Sequence, residues 1–342
     1  MANKKNTTGV LLVNLGTPDS PSVPDVRKYL REFLMDGRVI DIPLIARAAL
    51  VNLIIAPFRA PKSAKTYQKL WTERGSPLLY YGQDITHMLQ EELGESYAVE
   101  LAMRYQSPSI EDGLKALMKK NVSRMIIVPL FPQYASATTG SVQEKVMELV
   151  KGWQVVPTMH FISNFVEEPL FIEAWKQVAT PYLEKEYDHY VFSYHGVPER
   201  HIRKSSVDGY CQLNGKCCST YNKKNQYCYR GQCFYTTRQL AEALNIPEEK
   251  YTVCFQSRLG TDPWIKPYAE TVIKELAEEG HKKVLAFSPA FIADCLETTV
   301  EVGEEFRDEF IEEGGEEWTL VESLNAHPAW VQCLKKMVLD IH

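Results

Sequence analysis

The sequence predicts an α/β protein in two similar halves, each a parallel sheet flanked by helices, and two observations carry that prediction. First, short β-rich runs alternate with longer amphipathic segments along the 342-residue chain. That order builds βαβ units and parallel sheets covered on both faces. Second, the signals are duplicated. VLLVNLGTP at 10–18 has the form of YVFSYHGVP at 190–198, an apolar strand and then a turn ending in Gly-x-Pro. RMIIVPLFPQYASATTG at 124–140 has the form of KKVLAFSPAFIADCLET at 282–298: buried strand, proline-marked break, helix start. Such duplication marks repeated domains, here two Rossmann-like domains expected to face each other across a cleft. In open α/β sheets the chemistry sits outside the carboxyl ends of the strands, and all four turns are such ends.

In chain order, the expected strands are VLLVNL (10–15), YAVELAMRY (97–105), RMIIVPLF (124–131), HYVFSYH (189–195) and KVLAFSPAF (283–291). Helical periodicity marks 83–93, 109–120, 140–150, 170–184, 265–279 and 297–312. The N-terminal half is read as 1–165, with the C-terminal half as 166–342.

Composition removes several function classes. With 38 basic and 44 acidic side chains the net charge is −6, and no basic block of the kind that holds nucleic acid stands out. MANKKNTTG has no apolar stretch of the secretory kind behind its lysines, so a cytosolic chain is expected. No Gly-x-Gly-x-x-Gly or P-loop is present to cradle a nucleotide phosphate, and no Gly-x-Ser-x-Gly to make a nucleophile elbow. The most apolar stretch, IDIPLIARAALVNLIIAPF at 40–58, is broken by Asp41, Arg47, Asn52 and two prolines. Its uninterrupted pieces fall short of the roughly 20 residues of a membrane span. It reads either as a buried core helix, the commoner case, or as an amphipathic lip.

Candidate chemistry collects at the strand ends. His195 closes HYVFSYH, and a neutral imidazole there can accept a proton near pH 7. Asp294 and Glu297 open the helix after KVLAFSPAF; they read as a proton relay beside His195 or as helix-cap acids. Arg104 and Tyr105 close YAVELAMRY, where a guanidinium suits a carboxylate-bearing ligand or a structural ion pair. Glu301, Glu304, Glu305, Asp308 and Glu309 recur at helical spacing, as a solvated face or as a path for protons or metal ions leading from Glu297.

Five of the eight cysteines (Cys211, Cys217, Cys218, Cys228 and Cys233) fall within 23 residues, in the insert 205–233. In a cytosolic chain such a cluster reads as metal binding before disulfides. Its Cys-x5-Cys-Cys-x9-Cys-x4-Cys spacing matches neither zinc-finger nor ferredoxin patterns, leaving zinc and [2Fe-2S] both open.

Seven stretches together, in this order, resemble the ferrochelatase family: 11–43, 59–78, 102–110, PLFPQYASATTGS (129–141), FSYHGVPERH (192–201), FQSRLGTDPWIKPY (255–268) and PAFIADCLET (289–298). The resemblance implies an enzyme that inserts Fe2+ into protoporphyrin IX with loss of two protons, the terminal step of haem biosynthesis. It puts His195 in the place of the family's proton acceptor and metal-handling histidine, and Glu297 in that of the acid paired with it. Arg104 and Tyr105 match a pair facing the porphyrin from the other side. Asn14 and Leu15 match the turn under the macrocycle, Ser76 a serine near the porphyrin edge, Arg59 an arginine near the propionates, and Gln256, Ser257 and Trp264 a second wall, with Asp294 among the substrate-binding set. Leu15 stands where some members carry Met or Tyr, and Cys295 where some carry His.

The resemblance also implies a [2Fe-2S] cluster on Cys211, Cys228, Cys233 and one of Cys217 and Cys218, with Cys218 preferred. It turns the reading of 40–58 to an apolar lip, a point of peripheral contact with the inner face of the cell membrane. Rival readings are a coproporphyrin ferrochelatase, a cobalt or nickel chelatase of the same superfamily, and a non-catalytic haem-binding or iron–sulfur sensor.

Overall fold

A computed structural model of the chain describes residues 7–258, 260 and 262–341. The chain divides into two compact units. The first holds the described residues up to Phe131, Ser136–Asn164 and those from Val331 onward; the second holds Pro132–Ala135 and Phe165–Trp330.

The first unit runs β1 (Thr8–Gly16), α1 (Val23–Leu34), α2 (Leu44–Ala49), a π-type segment (Leu50–Ile55), α3 (Ala56–Leu70), α4 (Pro77–Leu93), β2 (Tyr97–Tyr105), α5 (Ile110–Lys119), β3 (Arg124–Pro129), a second π-type turn (Ser136–Gly140), α6 (Ser141–Val150) and β4 (Thr158–Phe161). The second runs α7 (Pro169–Ala179), β5 (His189–His195), α8 (Glu199–Ser205), α9 (Tyr229–Ala243), β6 (Tyr251–Gln256), α10 (Ala269–Glu278), β7 (Lys283–Phe287), a π-type helix (Leu296–Glu305), α11 (Phe306–Glu312) and β8 (Glu317–Leu320). The last helix, α12 (Pro328–Leu339), belongs largely to the first unit, where Lys335 pairs with Glu92.

Both sheets are wholly parallel and share one topology, β2-β1-β3-β4 and β6-β5-β7-β8. The duplicated sequence signals are therefore duplicated strands. Each sheet reverses its winding beside its first strand, β1 or β5, so those carboxyl ends are the switch points where such sheets open a crevice. Val10–Val13 of β1 are fully buried, as a strand covered on both faces requires. Around β1 pack Ala102, Leu114, Leu117, Ile127, Val142 and Val146. Val191 on β5 lies in the equivalent core, with Cys254, Val272, Ile273, Val284 and Phe310. Helix α5 shows the local logic. Ser109 and Asp112 form a reciprocal capping box, and Ile110, Leu114 and Leu117 face the sheet.

All five expected strands form, and the sheets add β4, β6 and β8. Two of these, TMHF and EWTL, are four-residue edge strands, too short to show a period.

Two glycines set the switch points. Gly16 has φ +121°, and a Cβ there would collide with the Tyr105 carbonyl. At Gly196 a Cβ would lie 2.9 Å from the Gln256 carbonyl oxygen and 3.1 Å from the Trp264 ring. Each lets the chain leave its strand hard against the neighbouring strand end.

Leu44–Leu70 is one continuous helix of 27 residues, long and apolar enough by composition to cross a membrane. The core-helix reading of 40–58 fails here, because Leu44, Ile45, Leu53, Ile54 and Phe58 are 56–86% exposed.

Candidate functional site

In the second unit the site is built on the end of β5. The Gly196 amide donates to the Gln256 carbonyl at 2.8 Å. His195 Nδ1 lies 2.6 Å from the Gly196 carbonyl oxygen. A carbonyl only accepts, so Nδ1 carries the proton and Nε2 keeps its lone pair. The Tyr229 hydroxyl donates to the His195 carbonyl at 2.8 Å. The Trp264 ring stands 6.4 Å from the imidazole, centre to centre, on a loop held by Ile265 N donating to Val197 O at 3.1 Å.

The acids come from the π-type helix after β7, a geometry that clusters at functional positions. Ser193 Oγ donates to Gln256 Oε1 at 2.6 Å, which turns the amide nitrogen outward. That nitrogen donates to the Glu297 carbonyl oxygen at 3.0 Å and to Glu301 Oε2 at 3.1 Å. Ser257, at φ +65°, donates its hydroxyl to the same carboxylate at 2.6 Å. A non-glycine residue in that region is costly to hold and marks a site the surroundings over-determine. Burial pushes the Glu301 carboxyl above the ordinary glutamate range; the Ser257 hydrogen bond and the His195 charge oppose this, and the Glu297 charge adds to it. The charges of His195, Glu297 and Glu301 are thus felt together.

Asp294 is engaged elsewhere. Its carboxylate accepts from the Ser323 amide at 3.1 Å and from Asn325 Nδ2 at 2.8 Å, pinning the turn after β8. Cys295 is buried beside it. Of the acidic run, Glu301 turns inward while Glu305 and Asp308 are exposed.

In the first unit, Arg104 and Tyr105 at the end of β2 converge on a carboxylate that sequence reading passed over, Asp36. Its Oδ2 accepts from Arg104 Nη2 at 2.7 Å, the Tyr105 hydroxyl at 2.9 Å and the Ser141 hydroxyl at 2.5 Å; Oδ1 accepts from the Arg38 amide at 2.7 Å. Burial pushes the Asp36 carboxyl up, but these bonds and the Arg104 charge outweigh it and hold it below its ordinary 3.8. Asp36 sits just beyond α1 with no period to mark it. Asn14 is buried and accepts from the Leu15 amide at 2.8 Å. Ser76 stands, buried, at the residue before α4, where its hydroxyl makes no capping bond and instead accepts from Thr17 at 2.9 Å. Arg59 is exposed on α3.

The cysteine insert is largely irregular until α9, whose N-cap is Cys228 and whose first turns carry Cys233. Cys211 Sγ and Cys217 Sγ are 3.9 Å apart, and Cys228 hydrogen-bonds Cys211. That bond pulls the Cys211 thiol down to about 6. Lys216–Cys218 is a 3-10 turn rather than an extended segment, so the adjacent thiols are not forced to opposite sides. Cys217 turns to Cys211, while Cys218 accepts from Arg230 Nη1 at 3.2 Å. Among the described residues, no group of three or more His, Cys, Asp or Glu side chains is arranged to hold a metal ion.

Comparison with known proteins gives one consistent result. The ferrochelatase family profile matches residues 7–341. A ferrochelatase of Legionella pneumophila (strain Lens) is 44% identical over 330 residues, covering 96% of this chain and 98% of that one. A ferrochelatase of Coxiella burnetii (strain CbuK_Q154) is 46% identical over 337 residues, covering 97% and 93%. Among solved structures, SirB from Bacillus subtilis with Fe3+ superposes with a TM-score of 0.54 at 11% identity, covering 98% and 95%, a likeness of fold.

Replacing Asp36 by Asn keeps the shape and removes the charge, leaving the Arg104 guanidinium buried without its counter-ion. Urea unfolding near neutral pH should show a loss of about 3–5 kcal/mol. Because the native carboxyl is held low, its stabilisation is present above its ordinary 3.8 and is lost as pH falls through the lower native value. The wild type and the variant should therefore converge in acid; equal stability near neutrality would remove Asp36 from this role.

Proposed function

The chain belongs to the ferrochelatase family, and on that premise we propose how its own residues divide the work of inserting Fe2+ into protoporphyrin IX. The protein is a metal-chelating lyase of haem biosynthesis. Insertion replaces two pyrrole N–H bonds by bonds to one Fe2+, releasing two protons. The observation that carries the assignment is the His195 tautomer: Nδ1 is committed to the Gly196 carbonyl, so Nε2 is the nitrogen able to take a pyrrole proton. Glu297 and Glu301 stabilise the imidazolium and pass its proton on. Gln256 and Ser257 hold Glu301, and Trp264 forms a wall beside the imidazole. Arg104 faces the porphyrin from the first unit, fixed by Asp36 together with the fully buried Tyr105, with Asn14 and Leu15 under the macrocycle, Ser76 near its edge and Arg59 toward its propionates. Bending the macrocycle tilts a pyrrole lone pair toward the metal and draws on binding energy from the rest of the ring.

We further infer that the insert holds a [2Fe-2S] cluster. In kind the donors fit: thiols that are buried or nearly so in one insert, with Cys217 and Cys228 both against Cys211, and a guanidinium directed at the Cys218 sulfur. Metal binding to such a loop is coupled to its folding, so the described residues need not hold the ligands in final geometry. The contact of Cys217 with Cys211 favours Cys217 over Cys218 as the ligand. The exposed apolar face from Leu44 to Phe58 supports peripheral membrane contact by an otherwise cytoplasmic protein.

Four measurements test these readings. Anaerobic incubation with Fe2+ and protoporphyrin IX should quench the free-porphyrin fluorescence. His195→Ala should bind porphyrin yet lose nearly all turnover, and Glu297→Gln should lower kcat more than it raises KM; normal turnover in either variant removes that residue from the chemistry. Anaerobically purified protein should be reddish-brown with about two irons per chain, whereas stoichiometric zinc in colourless protein would overturn the cluster. The protein should co-sediment with phospholipid vesicles, and Leu53→Asp with Phe58→Asp should abolish this; a wild type that stays in the supernatant would exclude lipid contact.

A further inference from the structure

The two residues after Cys228 each reach from the cysteine insert to the wall of the site in the same unit. Tyr229 is 7% exposed and donates its hydroxyl to the His195 carbonyl at 2.8 Å. The same phenol also hydrogen-bonds Cys233. Arg230 is likewise 7% exposed. Its Nη1 donates to Cys218 Sγ at 3.2 Å, while Nε and Nη2 donate to the Lys266 carbonyl at 3.1 and 3.0 Å. Lys266 lies two residues beyond Trp264, whose ring borders His195. The guanidinium also stacks on Phe234, which fixes its plane.

We propose that Tyr229 and Arg230 are positioning residues: they couple the packing of the cysteine insert to the placement of His195 and of the Trp264 loop. Neither touches the reacting atoms. Tyr229 holds the main chain from which the imidazole hangs, and Arg230 holds the loop beside it. Both stand in the first turn of α9, a helix also held by Gln133 Nε2 donating to Thr236 at 3.1 Å and by the Tyr134 amide donating to Gln232 at 2.5 Å. A loop without its own core is thus fastened by two buried polar side chains, Tyr229 to the His195 carbonyl and Arg230 to the Lys266 carbonyl beside Trp264, and a disturbance among its thiols reaches the site along both routes. This gives the insert a catalytic consequence at a distance, independent of which metal it holds.

The inference rests on His195 as the proton acceptor, and the test separates the two. Tyr229→Phe removes one hydroxyl from a buried ring. It should lower kcat roughly 10-fold or more, the scale of a small misplacement, while porphyrin KM and the thermal midpoint stay near wild type. Arg230→Gln should do the same, and Arg230→Lys should restore little because one ammonium cannot span both partners. Cys217→Ser should lower kcat in the wild-type background but add little in the Tyr229→Phe, Arg230→Gln double variant, since both act through the same link. Normal kcat in Tyr229→Phe and Arg230→Gln, or fully additive losses with Cys217→Ser, would overturn the coupling. A merely structural role would instead lower the thermal midpoint and the yield while the folded fraction kept its kcat, which also overturns it. His195→Ala run alongside tells the failures apart: full turnover there sinks the proton-acceptor reading itself, whereas a dead His195→Ala beside a normal Tyr229→Phe sinks the coupling alone.

Discussion

The hydrogen bond from the Gly196 amide to the Gln256 carbonyl, 2.8 Å long, decides what the end of β5 can do. It forms because Gly196 has no Cβ to meet that carbonyl or the Trp264 ring. With the chain drawn in at this point, the Gly196 carbonyl comes within 2.6 Å of His195 Nδ1 and selects the tautomer that leaves Nε2 basic. The partner residue then serves twice. Its main chain holds the turn under His195, while its side chain, oriented by Ser193, holds the Glu297 main chain and the Glu301 carboxylate. His195 and the two glutamates, the proposed proton acceptor and its acids, are therefore all placed by one residue, Gln256, buried at the end of β6. The first unit repeats the backbone device with Gly16 against Tyr105, but Leu15 occupies the place that corresponds to His195. One architecture thus serves two purposes, and only the second copy carries an ionisable group at its switch point.

The parts of this arrangement that repeat along the chain were legible in the sequence. A fully buried strand such as VLLVNL announces itself by apolar residues on both faces, and the Gly-x-Pro after it marks where the strand must stop. The edge strands TMHF and EWTL carry no such signal, because four residues are too few to show either a period or a run. The places of His195 and Glu297, at the end of β5 and after β7, were legible because each follows a strong strand signal. Asp36 was not, since its value lies in three side chains 68, 69 and 105 positions away that meet only after β2 and α6 are in place. Tyr229 and Arg230 were hidden differently. They stand beside a cysteine whose own chemistry draws the eye, and nothing local says that an aromatic in an irregular insert will cap a strand carbonyl 34 residues back. Asp294 shows the converse. Its place beside Glu297 reads as catalytic, yet its carboxylate closes the turn at Ser323 and Asn325.

The signs of the buried charges follow from the reaction. Exchanging one Fe2+ for two protons leaves the net charge unchanged, so the surroundings must tolerate a dication arriving while protons leave. In the first unit Asp36 cancels the Arg104 charge at 2.7 Å and is held ionised by the same contacts. In the second unit the balance runs the other way. Burial raises the proton affinity of the Glu301 carboxylate above that of one in water, and so, in the proposed relay, makes it a better acceptor for a proton from His195. Each tenfold gain in proton affinity lowers the cost of that transfer by about 1.4 kcal/mol. Ser257 and Gln256 prevent the gain from running too far, since a carboxyl that kept its proton could not receive another. Desolvation, a penalty for the fold, is at this position the source of the basicity that the chemistry uses.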